Sequence, residues 1–324
     1  MIESLGGFMT IGIGAYGPRA GEAVFMALRK AELIGEGSIR GCAVFAAIKD
    51  DGELVYYKTQ RGGTQTLVIK GEITGVLPPP DVLSAKVAAL MSSGPDRPEP
   101  LELGLPGKAG VGIVSGHRIP ILACRVHGKP MNHLALELME SGLSAVEAVE
   151  SVIKDNQEQD AGLIAVDMKG NLGVMNSQRV ERRTDVAKIY KEDKTTGAKV
   201  AVLLNEIHPP KAVAEVAAGV AMEIMTESQK PDFEVLVKTG MKAEFSPNDE
   251  VYVDKNFTAI KLITSDKDNL VGTQICCIPY GGAKVIQNNK EIGYTITEPL
   301  TIVENGTIVD LSGQKEFYVG AKYV

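Results

Sequence analysis

Residues 131–177 read MNHLALELMESGLSAVEAVESVIKDNQEQDAGLIAVDMKGNLGVMNS, and the fold is decided in this stretch. It spells a short apolar helix, a second helix, and a two-strand hairpin. Ser144, with Glu147 three residues on, is a capping box that starts the second helix. Val146, Val149, Val152 and Ile153 recur at helical spacing and form its inward stripe. Gly170-Asn171 is the turn signal of the hairpin. The first strand, 162–166, is apolar on both faces, which requires layers above and below the sheet. This order is one wall of a four-layer αββα sandwich in an α+β protein.

The whole chain has 324 residues, enough to bury a sizeable core in one large domain or two. Net charge is −7, which excludes the dominating basic face that a nucleic acid or an anionic membrane requires. No apolar run approaches the ~18 residues that span a bilayer. The opening MIESLGGFMT lacks the basic and apolar regions of a signal peptide. Cys42, Cys124, Cys276 and Cys277 stand at no metal-like spacing, so they read as reduced thiols in a cytoplasm.

Working outward, residues 10–16, TIGIGAY, read as a first strand, followed by a helix between Pro18 and Gly35 with Leu33 among its apolar residues. CAVFAAI and ELVYYKTQ form a hairpin about Asp50-Asp51-Gly52. Asp81 caps a helix expected to run to Met91. VGIVSG and IPILACRV read as strands, and the charged run 179–199 as a linker or flap. KVAVLLNEI is a further strand, and Pro209-Pro210 starts an apolar helix ending near Met225. The last 80 or so residues alternate as short strands. We therefore divide the chain into a core, 1–225, and a β-rich C-terminal region, 226–324, packed on that core or extending it.

The stretch ALELMESGLSAVEAVESVIKDNQEQDAGLIAVDMKGNLGVMNS resembles the helix-plus-hairpin phrase of N-terminal nucleophile (Ntn) hydrolases. It is most similar to the isoaspartyl peptidase and asparaginase branch, where a helix of the form G-x-S-A-x-E-A-V precedes paired strands. The first 180 or so residues also resemble an uncharacterised bacterial family near those hydrolases. The resemblance implies an αββα fold and cleavage of a carbon–nitrogen bond. In that branch a threonine begins the strand and its freed amine is the base. Here Asp160-Ala161-Gly162 stands at that place, with no hydroxyl or thiol to attack.

Other residues must then supply any chemistry. Thr10 opens the first strand and suits an N-terminal nucleophile if cleavage exposes it. In an unprocessed chain, our reading, it is simply a β-branched strand opener. Cys42 lies in an apolar strand and reads as a small hydrophobe unless a base activates it. Arginines recur in polar turns: Arg61 with Thr64 and Thr66; Ser93 with Arg97; Ser115, His117 and Arg118 between strands; Asn176, Ser177 and Arg179 at the hairpin exit, with Arg182 and Arg183 beyond. Guanidinium forks beside hydroxyls hold a small carboxylate bidentately, whereas separately they are solvated turn charges. His117 is either a base near neutral pH or a loop residue bonded to backbone. His127, His133 and His208 have no metal-ligand spacing, so no metal is expected. Gly12, Gly14 and Gly17 mimic a dinucleotide fingerprint without the acidic residue that should follow, and no cofactor is expected.

Two functions follow. The first is an amide or peptide-bond hydrolase of small molecules. In it Thr10, Thr64 or Ser177, or a water aided by His117, attacks the carbonyl. Arg61, Arg97, Arg118, Asn176 and Arg179 anchor a substrate carboxylate. The second is a non-catalytic binder of a small carboxylate metabolite on the same fold. A homo-oligomer is expected in either case.

Overall fold

A computed structural model describes residues 9–94, 97, 99–118, 129–226 and 231–324. The expected strand IPILACRV, with Cys124 and the nearby His127, lies outside them. The chain forms two compact units, Met1–Glu227 and Ser228–Val324, and both are built of helix-and-sheet or sheet layers that make the protein α+β.

The first unit opens with β1 (Ile11–Tyr16), α1 (Ala20–Ile34), β2 (Glu36–Gly37), β3 (Ala43–Ile48) and β4 (Leu54–Thr59). Two one-turn helices follow, α2 (Thr64–Leu67) and α3 (Pro80–Leu83), then β5 (Val87–Ser92), β6 (Gly107–Lys108) and β7 (Gly112–His117). Next come α4 (Met131–Glu140), α5 (Ala145–Lys154), β8 (Gly162–Asp167), β9 (Leu172–Asn176) and α6 (Gln178–Glu181). The unit closes with β10 (Val186–Glu192), β11 (Lys199–Asn205), β12 (Ile207–His208) and α7 (Pro210–Thr226). An antiparallel six-stranded sheet runs β10-β11-β1-β5-β3-β4, a four-stranded one runs β6-β7-β8-β9, and β12 pairs with β2.

Packing follows from which faces are apolar. Helices α1 and α7 lie against each other and on one face of the six-stranded sheet, burying Phe25, Leu28, Val213 and Ala217 with Ile11, Ile13 and Val202. The other face of that sheet meets β7 and β8, joining Val44, Met91 and Leu203 to Ile164 and Val166. Helices α4 and α5 cover the remaining face of the four-stranded sheet. The two sheets touch through glycine: a methyl on Gly12 would sit 2.4 Å from the Gly116 carbonyl oxygen. The G-x-G pattern here serves close sheet packing.

The capping box of α5 is present, both its Ser144 and its Glu147 halves. The buried stripe, however, is Ala145, Ala148, Val149, Val152 and Ile153, while Val146 is exposed. Leu33 likewise points to solvent from the end of α1. The expected helix at 81–91 is only the single turn α3. Its remainder is β5, a central strand buried along its whole length, because a short apolar run fits a two-sided strand as well as a helix. The run 179–199 is not a flap: it contains α6 and the edge strand β10, whose outward Lys188 and inward Ala187 alternate with period two.

The second unit is all β: β13 (Phe233–Lys238), β14 (Ala243–Phe245), β15 (Glu250–Val253), β16 (Ala259–Thr264), β17 (Thr273–Cys276), β18 (Lys284–Gln287), β19 (Lys290–Thr295), β20 (Thr301–Glu304), β21 (Thr307–Leu311) and β22 (Glu316–Tyr323). One sheet runs β13-β22-β19-β18-β15-β16-β14. It returns on itself, since Leu236 of β13 bridges Thr258 beside β16 and its N–H donates to the Phe257 carbonyl at 2.9 Å. A smaller sheet, β17-β20-β21, adds Val303, Ile308 and Leu311 to a core shared with Val235, Val251, Leu262, Val285 and Val319.

Candidate functional site

His117, Gly162 and Asn176 occupy one row across β7, β8 and β9. The middle residue has no side chain, so the outer two meet over it: His117 Nε2 is 2.8 Å from Asn176 Oδ1. A methyl on Gly162 would lie 2.2 Å from that oxygen and 2.6 Å from the imidazole. The glycine that stands near the expected threonine therefore makes room for a polar contact.

On its other side the imidazole Nδ1 is 3.0 Å from Oδ1 of Asn205, the last residue of β11 in the facing sheet. The ring is fully buried, and burial holds it below the ordinary imidazole range. A neutral ring donates at one nitrogen and accepts at the other, so one of the two asparagines must turn its NH2 to the ring. The backbone N–H of Asn205 donates to the Thr10 carbonyl at 2.8 Å, which ties the start of β1 into the same cluster.

One residue further along each strand the pattern repeats. Arg118 follows His117, Glu206 follows Asn205, and both have a φ of 54°. Their side chains pair at 2.8 Å, and Arg118 also pairs with Asp160 at 2.5 Å. Arg183 binds Asp185 at 2.6 Å and approaches Glu206 at 3.6 Å, and it holds the Asp185 carboxyl below its usual range. Two left-handed, non-glycine residues facing each other is uncommon backbone, which is retained where neighbours fix it. Together the two bonds clip the sheets at one end.

The remaining expected residues lie as follows. Thr10 is buried, and its hydroxyl donates to the carbonyls of Ser38 at 2.5 Å and Ser92 at 3.3 Å. Ser177 caps α6 and donates to the Gln159 carbonyl at 2.5 Å. Thr64 is buried and donates its hydroxyl, and its N–H at 3.0 Å, to the carboxylate of Glu32. Burial raises the Glu32 carboxyl above the ordinary range, against the opposing pull of Thr64. Arg97 reaches Ser93 beside the loop of Gln60, and Arg61 is exposed in that loop. Arg179 is exposed, with a 3.4 Å contact to the Glu158 carbonyl. His117, Arg118 and Asn176 are thus brought together with Thr10 and Ser177 near by, while Arg61, Thr64, Arg97 and Arg179 stand elsewhere. His117 is the end of a strand, not a loop residue. Asp160 stands where the resembling branch carries its nucleophile, whereas Asn205 and Glu206 carry no motif in the sequence, and only their position at the end of β11 would have pointed to them.

Asn176 also lines a cavity of about 300 Å³, with Glu181, Val186, Ala187, Lys188, Ile189, Lys211 and Glu215. Glu181 pairs with Lys188 at 2.8 Å and Glu215 with Lys191 at 2.7 Å. Lys211 has no ionic partner among the described residues, and it lies in the first turn of the 17-residue α7. The positive end of the helix adds to its charge. No group of three or more His, Cys, Asp or Glu among the described residues is placed to hold a metal ion. None of the described helices is long and apolar enough to cross a membrane.

An α+β unit with a polar clip and a charged cavity at its strand ends is the class that fold and site define. The chain belongs to the family described as Domain of unknown function (DUF6963), whose model matches residues 10–234. Residues 240–316 are similar to a second model, Domain of unknown function (DUF7259). No curated protein matches the chain.

Proposed function

We propose that the first unit is a four-layer αββα sandwich of the Ntn-hydrolase-like class that binds a small carboxylate metabolite without cleaving it. The observation that carries this reading is Lys211, the uncompensated charge of the cavity at the exit of β9. It offers a carboxylate one ammonium on the flank of α7. Val186, Ala187 and Ile189 give the ligand an apolar wall, and about 300 Å³ suits a small metabolite. The hydroxyls of Thr10 and Ser177 are spent on backbone carbonyls, and neither they nor Thr64 lines this cavity. The protein works as a cytoplasmic homo-oligomer in this reading.

One contact favours the second reading, amide hydrolysis: Thr64 has its hydroxyl on the carboxylate of Glu32, the arrangement of a nucleophile with its base. Thermal shift against acetate, succinate, glutamate and their amides separates the two. A carboxylate held at a hundredfold excess over its Kd should stabilise the wild type by about 2.7 kcal/mol. Its amide should not, and Lys211→Ala should lose the effect. Absence of any carboxylate-dependent shift overturns the binding reading, and release of ammonia from an amide that depends on Thr64 establishes the other.

A further inference from the structure

The small sheet of the second unit ends in an open edge. Strand β17 pairs with β20 along one side only, Thr273 opposite Glu304 and Cys276 opposite Thr301. The Asn305 N–H donates to the Gly272 carbonyl at 2.7 Å, which sets the phase of that ladder. By the alternation of antiparallel pairs, Gln274 and Cys276 bond to β20, and the N–H and C=O groups of Thr273 and Ile275 face away from it. No other described residue gives those four groups a hydrogen bond or takes one from them.

The side chains leave the same edge unguarded. Gln274 and Cys276 are partly covered, with Cys276 packed on the core, whereas Thr273 and Ile275 turn outward. Ile275 is 71% exposed and Val271, just before the strand, is 68% exposed. Ile302 lies across the ladder from Ile275 and continues the apolar surface. Edge strands are commonly guarded by lysine, proline or a bulge. The edge strand β10 carries Lys188 and Lys191, but Thr273–Cys276 holds no charge and no proline, and its ladder with β20 runs without a shift in register.

We propose that two copies of this chain join β17 to β17, antiparallel, about a two-fold axis through Gln274. This names the interface of the homo-oligomer in the function proposed above and rests on that reading. The edge is self-complementary, because its two open residues stand symmetrically about Gln274. Under the two-fold, Thr273 faces the partner's Ile275 and Ile275 faces the partner's Thr273, so every outward main-chain group of both copies finds its counterpart. Two three-stranded sheets become one continuous sheet, and the contact closes on itself, leaving neither copy's β17 open. Sedimentation velocity of the full chain from about 1 to 200 μM tests this, and the wild type should be a dimer at the upper end. Ile275→Pro removes an N–H that points away from β20, so the ladder is kept while the pairing loses a bond. Thr273→Lys sets a charge on the edge. Each variant should weaken the dimer about tenfold or more, with an unchanged far-ultraviolet circular dichroism spectrum. Hydrogen exchange of the wild type needs no variant, and the amides of Thr273 and Ile275 should be protected at the upper concentration. A chain that is monomeric throughout overturns both the interface and the homo-oligomer. An oligomer that both variants leave intact, or in which those two amides exchange freely, overturns the interface alone.

Discussion

His117 owes its character to what surrounds it. Its ring is boxed by two amides, and the folded chain refuses a proton that the unfolded chain takes near the ordinary value of 6.5. Its contribution to stability is therefore complete above that value and falls as the pH drops below it. Glu32 acts in the opposite sense, because a raised carboxyl favours folding below 4.5 and loses that advantage as the pH rises through its folded value. The clean measurement is a difference between proteins. Urea midpoints of the wild type should fall between about pH 7.5 and 5.5, and His117→Gln should fall less. An equal fall in both means that His117 does not set it. From the sequence His117 could be picked out as chemically useful, but its burial could not, since Asn205 lies 88 residues away.

At the scale of elements, local signals were enough wherever a segment carries its own punctuation. The Ser144 box, the Asp50-Asp51-Gly52 turn and Pro210 each mark a boundary that the structure keeps. Signals failed where only apolar content spoke. Residues 87–92 are helix-like in composition, yet β1 and β3 claim them as a strand from both sides. Faces are decided the same way, by what lies opposite. Val146 and Val149 look equivalent in the periodic pattern, but the first is exposed and the second is 1% exposed. Val149→Ala should cost roughly 2 kcal/mol by leaving a small cavity, whereas Val146→Ala should change stability by less than about 0.5 kcal/mol. Chemical denaturation of the two variants measures this directly, and equal effects would mean that α5 is rotated.

For the molecule as a whole, each unit draws its core from its own strands and helices. Val235, Val251, Leu262, Val285, Val303 and Val319 come from the second unit alone. Residues 231–324 expressed by themselves should therefore melt cooperatively with dispersed amide resonances. A collapsed chain without a transition would show that the unit needs the rest of the protein. The closing bond of its sheet, from Leu236 to Phe257, joins residues 21 positions apart with β14 and β15 between them, a pairing that no local signal in the sequence marks.

The α+β class, the helix-and-hairpin order of 131–177, the boundaries that carry caps or turn residues and the acidic charge were all legible in the chain. These follow from periodicity, caps and composition, which are local or additive. Tertiary structure alone decided which arginines meet a partner, that Gly162 seats His117 against Asn176, and that Lys211 is the unpaired charge of a cavity. Those depend on register between strands far apart in the chain, and a single row of cross-strand neighbours is invisible until the sheets are assembled.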